Sequence, residues 1–160
     1  MSEITTVFFD LGDTLGTPVL SAPPSVHVVG FNVFAAAWPV LADLNCRGLR
    51  LGIISNTGVD KRQVLDAVLA AIPVPEAIPV PDPAIRALVD FFESPLRIYS
   101  ADVGHRKDSR VIFDLAAAAA GVAASACLFV GEDAQERSFA TEAGMHTAPD
   151  LKAIEPVLTG

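Results

Sequence analysis

Ile4-Thr5-Thr6-Val7-Phe8-Phe9-Asp10-Leu11-Gly12-Asp13-Thr14-Leu15 is the stretch on which the fold turns. β-branched and aromatic residues fill positions 4–9, a run of strand length that stops at a carboxylate and then at turn residues. Asp10 therefore stands at the carboxyl end of a predicted strand. Outward from it the same unit recurs. Residues 49–54 form a second apolar run, ending in Ser55-Asn56-Thr57-Gly58. Residues 96–99 form a third, weaker run, and residues 127–130 a fourth that ends in Gly131-Glu132-Asp133.

Helical patterns fill the intervals. One spans about 31–46 and is closed by Arg47-Gly48, where glycine suits a left-handed cap. A second opens at Asp60 and carries Val64, Leu65, Val68 and Leu69 on one face. A helix then follows the 72–83 segment, and another runs over about 109–120 to Gly121. One more reaches Ala143-Gly144, and a short strand near 145–147 leads to a terminal helix. Strands alternating with helices imply βαβ crossovers and a mostly parallel sheet covered on both faces. Ligands of such sheets sit beyond the carboxyl ends of the strands, which here read Asp10, Ser55-Asn56 and Glu132-Asp133. Residues 16–30 are expected to be a proline-rich loop, and the prolines between 72 and 83 block helix and central strand alike. Strand–helix units continue on both sides of each segment, so residues 1–160 are expected to form a single domain.

Composition narrows the class. A chain of 160 residues that is 51% hydrophobic and 19% charged describes a packed globule. Mean hydropathy is +0.45, but the longest uncharged stretch, 14–42, is interrupted by four prolines, His27 and Asn32. It cannot supply the roughly 20 continuous apolar residues of a spanning helix. No basic region or small-residue cleavage site opens the chain, so a cytoplasmic protein without a membrane partner is expected. The net charge of −8 argues against nucleic-acid binding through a basic surface. Cys46 and Cys127 lie far apart in apolar surroundings and read as core cysteines.

The chemistry-bearing residues resemble four motifs of the haloacid dehalogenase-like hydrolase superfamily, in family order, from Ile4 to Met145. The resemblance implies a Rossmann-like three-layer α/β sandwich. Phe8-Phe9-Asp10-Leu11-Gly12-Asp13-Thr14 resembles the first motif, which makes Asp10 the nucleophile that accepts a phosphoryl group. The run 51–56 resembles the second, so Ser55, aided by backbone amides entering a helix, would bind phosphoryl oxygens. Asn56 and Thr14 join it as substrate-binding candidates. Lys107, at the spacing to Phe113 of the third motif but without its prolines, would hold the nucleophile and stabilise phosphoryl charge. Arg106 is the alternative occupant of that role. Val130-Gly131-Glu132-Asp133-Ala134-Gln135-Glu136, followed by Ala140-Thr141-Glu142-Ala143-Gly144-Met145, resembles the fourth. Magnesium would then be held by Asp10, the Gly12 carbonyl and Glu132, with Asp133 as the alternative ligand.

Two departures from the family stand out. The acid that normally follows the nucleophile by two residues, and that protonates the leaving group, is replaced by Gly12. Neither interval between the motifs is long enough for a full cap domain, which leaves an open site. The expected function is a magnesium-dependent phosphatase acting through an aspartyl-phosphate at Asp10. Its substrate would be a phosphorylated small molecule or macromolecule, and homo-oligomerisation stays open. The competing reading is a catalytically weak domain that binds a phosphorylated ligand or a protein partner. Halide displacement ranks last, for want of an apolar cap and of halide-holding residues.

Overall fold

The computed structural model describes residues 3–160. In chain order the strands are β1 (Thr6–Phe9), β2 (Gly16–Leu20), β3 (Val28–Val33), β4 (Arg50–Ser55), β5 (Arg97–Tyr99), β6 (Cys127–Val130) and β7 (His146–Ala148). The helices are α1 (Ala37–Cys46), α2 (Arg62–Ala70), α3 (Ser100–Val103), α4 (Val111–Ala120), α5 (Ala134–Glu142) and α6 (Ile154–Thr159). Five strands pair in the order β5-β4-β1-β6-β7, every pair parallel. The chain steps outward from β1 to β4 and β5, then crosses back to β6 and β7. Its direction thus reverses beside β1, and Asp10 follows that central strand directly.

Alternation along β1 builds both layers of the core. Val7 and Phe9 face one side with Leu41 of α1, Leu65 of α2 and Ile154 of α6. Phe8 faces the other, with Phe113 and Ala116 of α4 and Ala140 of α5. All three β1 side chains are fully buried, and each such burial stabilises the fold by about 1.5–3 kcal/mol. Gly52 of β4 makes room for Phe8, since a Cβ there would lie 2.7 Å from its ring.

The structure corrects several expectations. The segment 16–30 is mostly strand: β2 and β3 pair as an antiparallel hairpin with Pro18 opposite Phe31. A two-stranded ribbon has two edges, so the missing proline N–H disturbs no inner ladder. Phe31 belongs to β3, and α1 begins only at Ala37. The helix expected after the proline-rich segment is a pair of short 3-10 turns, Leu88–Phe91 and Ser94–Leu96. The one-turn α3 has no apolar periodicity to announce it. Cys127 is buried, but Cys46 is exposed at the last turn of α1. Gly48 and Gly121 do adopt positive φ, 78° and 70°, just past their helices. Among the described residues no helix is long and apolar enough to cross a membrane.

Candidate active site

The ends of β1 and β4 open onto one cavity of about 330 Å³, which the first turn of α5 also lines. Asp10 reaches it from β1, Ser55 and Asn56 from β4, Lys107 from the loop before α4, and Glu136 from the first turn of α5. The Asp10 amide extends the sheet ladder by donating to the Val130 carbonyl at 2.9 Å. Its carboxylate Oδ1 accepts the Leu11 N–H at 2.9 Å and pairs with Lys107 Nζ at 2.7 Å. Both contacts fall on Oδ1, which leaves Oδ2 for a ligand. Gly131 lies against the Asp10 side chain, where a Cβ would be 3.5 Å from that of Asp10 and 2.7 Å from the Phe129 ring.

Lys107 is 3% exposed, far from the solvated lysine that a helix start would suggest. Its ammonium sits between two carboxylates, 2.7 Å from Asp10 Oδ1 and 2.7 Å from Glu136 Oε1, and 5.5 Å over the Phe129 ring. Asn56 Oδ1 accepts the Lys107 backbone N–H at 2.8 Å, so Asn56 positions the lysine loop. Arg106, the alternative cation, instead donates to the Thr57 carbonyl at 3.4 Å. Glu136 Oε1 is buried against this ammonium, and Oε2 is left for a ligand. Burial pushes the Glu136 carboxyl above its ordinary value, Asp10 and Asp133 push the same way, and Lys107 opposes them.

Other expected residues sit elsewhere. Thr14 is buried beneath the turn and does not line the cavity. Asp133 caps α5, its Oδ1 accepting the Glu136 N–H at 3.0 Å, and Glu132 is exposed beside it. Ser55 lines the cavity at 6% exposure, yet α2 starts only at Arg62 and does not aim its N-terminus at Ser55. The Arg62 N–H donates to Asp102 and the Thr57 N–H to Ser100 Oγ, at 2.8 and 2.7 Å. The Thr57–Ser100 contact, closed by Ser100 Oγ donating back to the Thr57 carbonyl at 3.0 Å, locks the loop after β4. Asp13 has φ 63° and is exposed, so the acid beside Gly12 is on the turn's outer side.

Glu136 closes the run that resembles the fourth motif, but the sequence reading gave it no role in the site. Its position three residues after Asp133 is the signature of a helix cap, which is a sufficient explanation for an acid there. Among the described residues no three His, Cys, Asp or Glu side chains cluster to hold an ion. Magnesium needs less, since one or two carboxylates and several waters satisfy it. Asp10 and Glu136, close enough to share one ammonium and each with oxygen capacity left over, fit that requirement with the Gly12 backbone beside them.

No protein-family model and no curated protein matches the chain. Solved structures do. An uncharacterized protein from Listeria monocytogenes superposes with a TM-score of 0.72 at 19% identity, over 98% of this chain and 97% of that one. A HAD-superfamily hydrolase from Ehrlichia chaffeensis gives 0.68 at 16% identity, over 99% and 98%. A HAD family enzyme from Bacteroides thetaiotaomicron, in complex with magnesium and inorganic phosphate, gives 0.62 at 14% identity, over 91% and 93%. Identities this low speak to architecture, and the architecture is unambiguous: the chain has the fold of the haloacid dehalogenase-like hydrolases.

Proposed function

We propose that the chain is a magnesium-dependent phosphohydrolase in which Asp10 is the nucleophile. The observation that carries this reading is the buried Lys107 ammonium, paired with Asp10 Oδ1 at 2.7 Å inside the cavity. A lysine so placed orients the Asp10 carboxylate, and it supplies positive charge where phosphoryl oxygens gather. Asp10 Oδ2 attacks phosphorus as the bond to the ester oxygen breaks, the departing oxygen takes a proton from water, and the Ser55 hydroxyl donates to a phosphoryl oxygen. Water then releases phosphate from the aspartyl-phosphate and restores Asp10. Asp10, Glu136 and the Gly12 carbonyl would hold the cation, which would neutralise charge on the phosphate when bound.

The test is phosphate release from a panel of phosphate esters with and without magnesium, using Asp10→Asn as the control. Hydrolysis that needs magnesium and disappears in Asp10→Asn is expected. Hydrolysis untouched by that substitution would overturn the assignment. Gly12 and the exposed Glu132 favour a second reading, a domain that binds a phosphorylated ligand and turns it over slowly. Tight phosphate-ester binding without turnover would favour it.

A further inference from the structure

The active-site cavity has two unlike walls. Asp10, Ser55, Lys107 and Glu136 make one of them polar. The other comes from Pro18, Leu20, Val28 and Phe31 of the hairpin and from Leu65 and Leu69 of α2. Phe31, Leu65 and Leu69 are buried at 8%, 4% and 2% exposure, so this wall is part of the packed core. Leu20 also lines the cavity, at 54% exposure. Asp60 holds the hairpin against the start of α2, accepting the Val28 N–H and pairing with His27 Nδ1, both at 2.8 Å.

We infer that this apolar wall receives an aromatic leaving group, so that the substrate is an aryl phosphate; the inference rests on the phosphohydrolase reading above. A sugar or glycerol moiety set against six apolar side chains would lose its hydrogen bonds to water without replacement. An apolar group gains there by leaving water. The cavity's 330 Å³ lies near the lower end of small-molecule sites, roughly 300–1,000 Å³, which suits a phosphoryl group with one ring system.

Gly12 selects among apolar groups. An alkoxide is about as basic as hydroxide, and it departs poorly without a proton donor. The Gly12 position offers none, and the Glu136 carboxyl is held by Lys107. A phenolic oxygen, with a pKa of about 10, leaves without that help. In the transfer the Asp10 oxygen bonds to phosphorus, the bond between phosphorus and the aryl oxygen breaks, and its electron pair departs with the phenolate. The phenolate takes a proton from water. A second water attacks phosphorus, freeing phosphate and the Asp10 carboxylate, and its proton passes to solvent.

The test compares 1-naphthyl phosphate, n-hexyl phosphate, glycerol 3-phosphate and acetyl phosphate, in turnover by the wild type and in binding to Asp10→Asn. Naphthyl phosphate should be turned over with the lowest KM. Hexyl phosphate should compete with it but resist hydrolysis. Acetyl phosphate, activated yet without an apolar group, should need far more substrate to saturate. Leu20→Ser, at an exposed position that the fold does not need, should lower the naphthyl-to-acetyl ratio of kcat/KM about tenfold, as loss of apolar contact in a pocket does. Equal KM values for naphthyl and acetyl phosphate, or an unchanged ratio in Leu20→Ser, would overturn the inference. If no ester is hydrolysed the phosphohydrolase reading falls, and the subsite is judged on binding alone. Naphthyl phosphate should then bind at least about tenfold tighter than glycerol 3-phosphate, and equal affinity would overturn the apolar subsite as well.

Discussion

Lys107 Nζ lies 2.7 Å from Glu136 Oε1 in the cavity, the lysine side chain 1% and the glutamate 19% exposed. That contact completes a carboxylate–ammonium–carboxylate arrangement with Asp10, taken from water by the ends of β1 and β6. A cation removed from such a place leaves two like charges facing each other in a weakly screened interior.

Lys107→Met is therefore expected to cost about 3–5 kcal/mol of stability, the usual price of breaking a buried pair. Adding Glu136→Gln should recover part of that loss, because one of the stranded charges is then gone. Denaturant unfolding of the wild type, both single variants and the double variant gives the coupling directly. Strictly additive losses would show that Lys107 and Glu136 do not interact.

Magnesium uptake should follow Asp10 and Glu136 rather than Glu132. Calorimetry is expected to show weakened binding in Asp10→Asn and in Glu136→Gln, and near-wild-type binding in Glu132→Gln. A Glu132→Gln variant that alone abolishes uptake would restore the sequence-based assignment. It would also mean that the loop after β6 rearranges around the ion.

The hairpin's attachment to α2 should fail in acid. The Val28 N–H, and after it His27, hold the Asp60 carboxyl below its ordinary value, against the opposing effect of burial. A folded-state pKa below the unfolded one gives stability that is present in full above the unfolded value of 3.8. It drains away as pH falls through the lowered folded value. Hydrogen exchange at the Val28 amide should accelerate below about pH 4, and Asp60→Asn should remove that dependence. An amide with the same pH profile in both proteins would refute the tether.

What was legible in the sequence follows from what shapes each residue. β6 was readable to the residue because its four side chains are all buried and flanked by turn chemistry. Asp10 and Ser55 were readable as neighbours because parallel sheets gather the carboxyl ends of their strands, whereas Lys107, on a loop, was reached only through the resemblance of its segment to the third motif. The hairpin was not, because Pro18, Pro23 and Pro24 argue for a loop unless the ribbon's two free edges are already known. Glu136 was hidden by its own plausibility as a cap partner of Asp133. The burial of Lys107 was hidden too, since it depends on Glu136 and on the Phe129 face, neither near it in sequence.

Gly12→Asp tests whether the site lacks only a proton donor. Gly12 has none of the positive backbone dihedrals that reserve a position for glycine; in this turn the left-handed residue is Asp13, at φ 63°. A Cβ added at Gly12 would meet only Pro18 Cδ, at 3.9 Å, an ordinary van der Waals contact. The variant should fold, and its new carboxyl would stand at the rim of the cavity, two residues from Asp10. Hydrolysis of alkyl phosphates is expected to rise within the range of general acid catalysis, about 10²–10⁴-fold, with a smaller gain on aryl phosphates whose leaving groups need no proton. Comparing kcat for hexyl and naphthyl phosphate in both proteins gives the answer. A folded, magnesium-binding variant without any gain on hexyl phosphate would mean that the reacting groups are misaligned as well. The longer glutamate at position 136 would be the first to replace, by aspartate, because it shares the Lys107 ammonium with Asp10.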